Sequence, residues 1–188
     1  MSRGQSPRAL LTVVFGAAAV VAVSWATGAF LGFGGFAFAW VVHFAMMAGM
    51  SASMSALRPS PSGGWYQVRA WEPGLYRRLG VWPFMLLLRR IGWERANRKD
   101  RSYDGTRASL DAFELGTRRA ELSHLILAVI GTALVLAAVV ARAWTAVAWL
   151  SILNIVLHVY PVMLQRALRA RLDRLQRALR RTPAPLPR

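Results

Sequence analysis

The chain of 188 residues contains no cysteine, which excludes a disulfide framework, a thiolate metal site and a cysteine nucleophile. Charge is missing from two long stretches. No charged residue occurs between Ala9 and Leu57, and Arg142 alone interrupts the run from Leu122 to Leu164. Acidic residues are scarce, eight against 24 Lys plus Arg, so the formal net charge is +16. Also absent are a phosphate-cradling glycine loop, a Gly-x-Ser-x-Gly elbow and a His-Glu-x-x-His motif, the common signatures of nucleotide binding, serine hydrolysis and zinc proteolysis. The Gly32 to Gly35 cluster reads as a turn, not a nucleotide site. No readout motif accompanies the basic charge, so nucleic acid is not an expected partner.

What the chain does have is apolar sequence in blocks. Hydrophobic residues make up 55% of it, and whole apolar segments are what lipid asks for, where water asks for one apolar face. The 49 uncharged residues from Ala9 to Leu57 fit two spans of about 20 residues each with a tight connection near Gly28 to Gly35. A signal peptide cut near Ala26 to Ala29 is the alternative for this start. The second apolar block divides at Arg142 into spans of about Leu122 to Ala141 and Ala143 to Leu164, antiparallel because their connection is short. The expected fold is therefore an all-α integral membrane protein. It has an N-terminal transmembrane hairpin (1–57), a basic cytoplasmic and interfacial segment (58–121), a second hairpin (122–164), a basic amphipathic helix (165–181) and a disordered tail (182–188).

The arginines orient this arrangement. Thirteen of the 24 basic residues lie between Arg58 and Ala120 and eight follow Leu164, so the positive-inside bias puts both termini and the central segment in the cytoplasm, at the cell membrane, with Arg142 outside. Within the central segment, Trp65 to Glu72 suits the headgroup region. The apolar stretch Leu79 to Leu88 is too short to cross about 30 Å of hydrocarbon as a helix and is expected to lie in the interface, with Pro83 starting or kinking it. Ser102 to Gly105 reads as a turn, and Ser109 as the cap of a helix Leu110 to Glu121 feeding the third span. Leu168, Leu172, Leu175 and Leu179, among arginines, mark a helix lying on anionic headgroups, with a short coiled-coil seam as the alternative.

Polar residues inside the spans are the functional candidates. Glu121 and His124 stand three residues apart, on one helix face. His124 enters the third span within about 5 Å of the cytoplasmic interface, and His158 lies roughly 10 Å deep on the returning helix, with Asn154 one turn further in. A carboxylate beside an imidazole suits general-base work on an alcohol; hydrogen bonding between two helices is the structural alternative. His43, in the second span, shows no acidic partner nearby. A metal site on His124, His158 and Glu121 lacks the short His-to-His spacing of strong motifs, so no metal is assigned.

Three stretches carry a resemblance. Thr117-Arg118-Arg119-Ala120-Glu121-Leu122-Ser123-His124, Gln165-Arg166-Ala167-Leu168-Arg169-Ala170-Arg171-Leu172 and Tyr66-x-Val68-Arg69-x-Trp71 together resemble the glycosyl-4,4'-diaponeurosporenoate acyltransferase family, over roughly Trp65 to Arg181. That family carries a Lys/Arg-Arg-Ala-Glu-x-x-His stretch and a Gln-Arg-Tyr-Asn-Arg-x-Arg-Leu stretch; here Ala167 and Leu168 stand in place of its Tyr-Asn pair, and the N-terminal hairpin is extended. The resemblance implies transfer of a fatty acyl group to a sugar hydroxyl of a glycosylated carotenoid or similar glycolipid. It carries Arg119, Glu121, His124, Gln165, Arg166, Arg169 and Arg171 over by position. The expected assignment is His124 as base and Glu121 as its orienter, with Arg119, Asn154, His158, Gln165, Arg166, Arg169 and Arg171 binding substrate. Acyl-CoA or another acyl donor is the co-substrate and no cofactor is expected. Expected partners are membrane lipids with anionic headgroups, the glycolipid substrate, a second copy of the chain and pathway enzymes. The competing reading is a non-catalytic membrane scaffold or assembly partner.

Overall fold

The computed structural model describes residues 6–92 and 107–181. Among these residues all regular structure is helical and there is no strand. Helix α1 spans Pro7–Leu31 and α2 spans Phe36–Leu57; a 3₁₀ turn at Gly64–Tyr66 precedes the short helices α3 (Glu72–Arg78) and α4 (Val81–Arg90). Then come α5 (Arg107–Val140), α6 (Trp144–Asn154), a π turn at Ile155–Val159 and α7 (Tyr160–Arg181). Four helical stretches are long and apolar enough to cross a membrane: α1, α2, Ser109–Val140 within α5, and Trp144–Arg177 across α6, the π turn and α7. The chain is a multi-pass membrane protein.

The residues divide into two compact units. One comprises Met1–Ser60 with Leu122–Val162, the other Pro61–Glu121 with Met163–Arg188.

In the first unit, Ser6 caps α1 through its hydroxyl, which accepts from the Ala9 N–H at 3.3 Å, and Pro7 occupies the first helical position, where its missing N–H costs nothing. α1 runs to Leu31, so Gly28 belongs to the helix and the hairpin turn is confined to residues 32–35. The hairpin closes on small residues. An added Cβ at Gly49 of α2 would come within 2.9 Å of Val20 Cγ2 and 3.6 Å of the Gly16 carbonyl on α1, the close backbone approach that drives helix pairing in lipid. Val42, Met46 and Leu127 form one buried cluster, and Ala39, Ala146, Leu150 and Leu153 another. Much of the remaining apolar surface faces outward, including Phe15, Trp25, Phe30, Leu136 and Trp144, as lipid-facing helices require.

In the second unit, Tyr76, Val81, Met85, Leu164 and Ala167 form the buried core. Pro73 and Pro83 lie in the first turns of α3 and α4, so Pro83 starts its helix without kinking it. Glu72 begins α3, and Arg77 and Arg78 end it, each sign at the helix terminus that favours it. One sequence expectation needs adjustment. α5 already runs from Arg107, so Ser109 is a buried helical residue and not a cap. On α7, Leu172 is buried while Leu175 is exposed. The turn expected at Ser102 to Gly105 and the tail at 182–188 lie outside the described residues.

Candidate active site

The first unit holds all three histidines of the chain. His43, seven residues into α2, and His158, in the π turn, are both fully buried. His43 Nδ1 lies 2.9 Å from His158 Nε2, and His43 Nε2 lies 3.3 Å from the Leu150 carbonyl. The His124 ring, on α5, is centred 5.8 Å from that of His158. The π turn is built by the Tyr160 N–H, which donates to the Ile155 carbonyl five residues back. Such turns are rare inside helices and are frequent at functional sites, because the extra residue redirects a side chain. Among the described residues, His124 Nδ1 and His158 Nδ1 are buried without a hydrogen-bond partner, which a stable apolar interior rarely tolerates. No three His, Asp or Glu side chains among the described residues stand where they could hold a metal ion.

Asn154 is buried one turn before His158. Its amide nitrogen donates to the Ala128 carbonyl and the Thr132 hydroxyl, each at 3.2 Å. Gly131 makes room for it, since a Cβ there would overlap the Asn154 amide. Asn154 thus fastens α6 to α5.

The second unit holds a buried ion cluster. All five N–H groups of Arg166 are used: Nε donates to Glu72 Oε2 at 2.7 Å, Nη2 to Glu72 Oε1 at 2.8 Å and to the Gln67 carbonyl at 3.2 Å, Nη1 to Glu121 Oε1 and to the Trp65 carbonyl, both at 2.9 Å. Arg169 bonds Glu121 Oε2 through Nη2 and the Tyr66 carbonyl through Nε at 3.3 Å, while its Nη1 has no partner among the described residues. The Trp65 and Tyr66 rings lie 5.7 and 5.9 Å from the two guanidinium carbons, at cation–π range. Two carboxylates facing two guanidiniums, nearly all donors satisfied, make burial of four charges tolerable.

Burial alone would push the Glu72 carboxyl up; hydrogen bonds from Arg166, the Arg69 backbone N–H and Tyr76 outweigh it and hold the group down at about 2. Tyr76, whose hydroxyl donates to Glu72 Oε2 at 2.8 Å, is pushed up to about 12 by burial and by that carboxylate.

The residues singled out from sequence thus fall into two groups. His124, His158 and Asn154 lie in the first unit, and Glu121, Arg166 and Arg169 close on one another in the second. Both Glu121 oxygens are engaged by arginines, and the guanidiniums expected to hold an anionic donor are engaged by Glu72, Glu121 and backbone carbonyls. Gln165 and Arg119 are half-buried, and Arg171 is exposed, 5.0 Å from the centre of the Trp82 ring. Two residues were outside the expected set. Glu72 gave a signal only as a rare acid among aromatic headgroup residues, and His43 only as an intramembrane histidine whose partner is another imidazole.

Residues 66–71, 117–124 and 165–172 supply most of this cluster, so three separated motifs converge in one buried network. The family model for glycosyl-4,4'-diaponeurosporenoate acyltransferase matches residues 62–178. The chain belongs to this family. Comparison with curated proteins and with solved structures finds no match. The match to the glycosyl-4,4'-diaponeurosporenoate acyltransferase family takes in His124 and His158, all four members of the ion cluster and Asn154. It leaves out α1 and α2, and therefore His43.

Proposed function

We propose that this chain is a membrane acyltransferase that moves a fatty acyl group onto a sugar hydroxyl of a glycosylated carotenoid or similar glycolipid. The observation that carries the reading is a group of three imidazoles set inside the spans of a chain from an acyltransferase family. Acylation of an alcohol needs a base at the hydroxyl and little else from a side chain. His124 is the proposed base, because it is the least buried of the three imidazoles. It takes the hydroxyl proton as the sugar oxygen attacks the acyl carbonyl of a thioester or other activated ester. The bond from acyl carbon to leaving group then breaks, and the imidazolium returns the proton to the departing thiolate or alkoxide. The arginine distribution supports an inner-leaflet site with both chain ends in the cytoplasm. Of the sequence-derived binding residues, exposed Arg171 is the one best placed to meet an anionic donor or headgroup.

The test is acyl transfer in membranes carrying the full chain, supplied with a glycosylated carotenoid and an acyl thioester and read by mass spectrometry. The expected product gains one acyl group, and His124→Ala abolishes it while the variant still inserts. Undiminished acylation by His124→Ala would remove the assigned base; no acylation by the wild-type chain would remove the function.

A further inference from the structure

We propose that His43 is a positioning residue: it locks His158 in one tautomer, and the locked His158 orients His124 for the acyl transfer. The proposal rests on the reading above and adds to it a role for the N-terminal hairpin, which lies outside the matched residues.

The argument is one of donors and acceptors. A backbone carbonyl can only accept, so the His43 Nε2 that faces the Leu150 oxygen at 3.3 Å carries the proton. In the neutral ring His43 Nδ1 is then a lone pair, and across the 2.9 Å contact it must accept from His158 Nε2–H. With its proton on Nε2, His158 keeps an unprotonated Nδ1. That nitrogen is buried and has no partner among the described residues, so it presents a lone pair that only an N–H or O–H can satisfy. The neighbouring imidazole, His124, has its ring 5.8 Å away centre to centre. Once His124 has taken a proton from the acceptor hydroxyl, it is a cation with an N–H at each nitrogen, and the lone pair on His158 is the group suited to orient and stabilise it. A neutral imidazole here fills the place a carboxylate holds in the more familiar arrangement. Glu121, whose oxygens are engaged by Arg166 and Arg169, is not required for it. The chain of fixed protons starts at a main-chain carbonyl of α6, which cannot change its protonation, so the direction of every hydrogen bond along it is set.

The test uses the full-length chain labelled with [15N]histidine in lipid nanodiscs, where protonated and lone-pair ring nitrogens have well-separated 15N shifts. Three histidines make the assignment short. The wild-type chain should show His158 protonated at Nε2 and bare at Nδ1. His43→Asn, which keeps an acceptor oxygen near the former Nδ1, should preserve that pattern. His43→Phe, which keeps ring volume without an acceptor, should give a mixture of His158 tautomers. In the acylation assay His43→Phe should lower kcat by about tenfold or more, with the roughly 10²–10⁴-fold contribution of general-base catalysis as the ceiling, with KM unchanged, and His43→Asn should recover most of the loss. A His158 pattern identical in wild type and His43→Phe overturns the proposal whatever happens to activity. Should His43→Phe fail to insert, loss of the Nε2-protonated pattern in His43→Asn overturns it equally. A tautomer response as expected, in a chain that acylates no glycolipid, supports the lock and removes the acyl-transfer reading instead.

Discussion

Arg166 grips Glu72 with two nitrogens at once, Nε to Oε2 at 2.7 Å and Nη2 to Oε1 at 2.8 Å, and spends its remaining donors on Glu121 and the carbonyls of Trp65 and Gln67. One side chain thereby joins α3, α5 and α7 to the 3₁₀ turn and the residue that follows it. Arg166→Met should leave buried Glu72 without its counter-charge and Glu121 with Arg169 alone, and cost about 3–5 kcal/mol, read as a lowered unfolding midpoint in detergent. A loss below about 1 kcal/mol, the range of exposed pairs, would mean that water reaches the cluster.

The same cluster sets an acid limit. Glu72 is held at about 2 in the folded chain against an ordinary value of 4.5. A depressed carboxyl gives stability that is complete above the ordinary value and is lost as pH falls from there toward the folded value. The unfolding midpoint should therefore drop between about pH 4.5 and 2, and Glu72→Gln should start lower and lose less across that window. Equal slopes in the two proteins would shift the acid sensitivity elsewhere.

Gly131 is the seat of Asn154. Gly131→Ala should push the amide off Ala128 and Thr132 and destabilise the chain by about 1–3 kcal/mol. Because the clash is with the Asn154 side chain alone among the near contacts, adding Asn154→Ala should relieve most of the strain, leaving a coupling energy of about 0.5 kcal/mol or more in a double-mutant cycle. Strict additivity would show that α5 and α6 do not pack at this point.

Gly49 carries the corresponding load in the N-terminal hairpin. Gly49→Leu should force α1 and α2 apart at Gly16 and Val20, at about 1–3 kcal/mol by overpacking. The change would be read as a lowered unfolding midpoint in detergent. An unchanged midpoint would contradict the close approach.

The spans were legible because lipid asks for whole apolar segments: the run from Ala9 to Leu57 without one charge has the length and composition of two membrane helices, and two helices, α1 and α2, are what it forms. The family was legible from motifs that turn out to meet in space. Partners were not, and the reason is distance along the chain. Spacing correctly put Glu121 and His124 on one helix, but the oxygens of Glu121 are claimed by residues 45 and 48 positions later, and the partner of His43 lies 115 positions away. Nothing in Ile155-Val156-Leu157-His158-Val159 announces a π turn, since the segment is as apolar and β-branched as its neighbours. Ser109 has the chemistry of a helix cap, but that chemistry does not fix a helix start, and α5 has already begun at Arg107.

The reach of Arg166 also fixes an order of events. Glu72 and Glu121 precede it by 94 and 45 residues, and a chain synthesised from its N-terminus presents both carboxylates long before their counter-charge exists. The second unit consequently cannot close while the ribosome is still making the third span. Its assembly waits for the last helix, and a message truncated ahead of Arg166 would yield a product with membrane helices and two stranded acids, a form that quality-control proteases are well suited to remove.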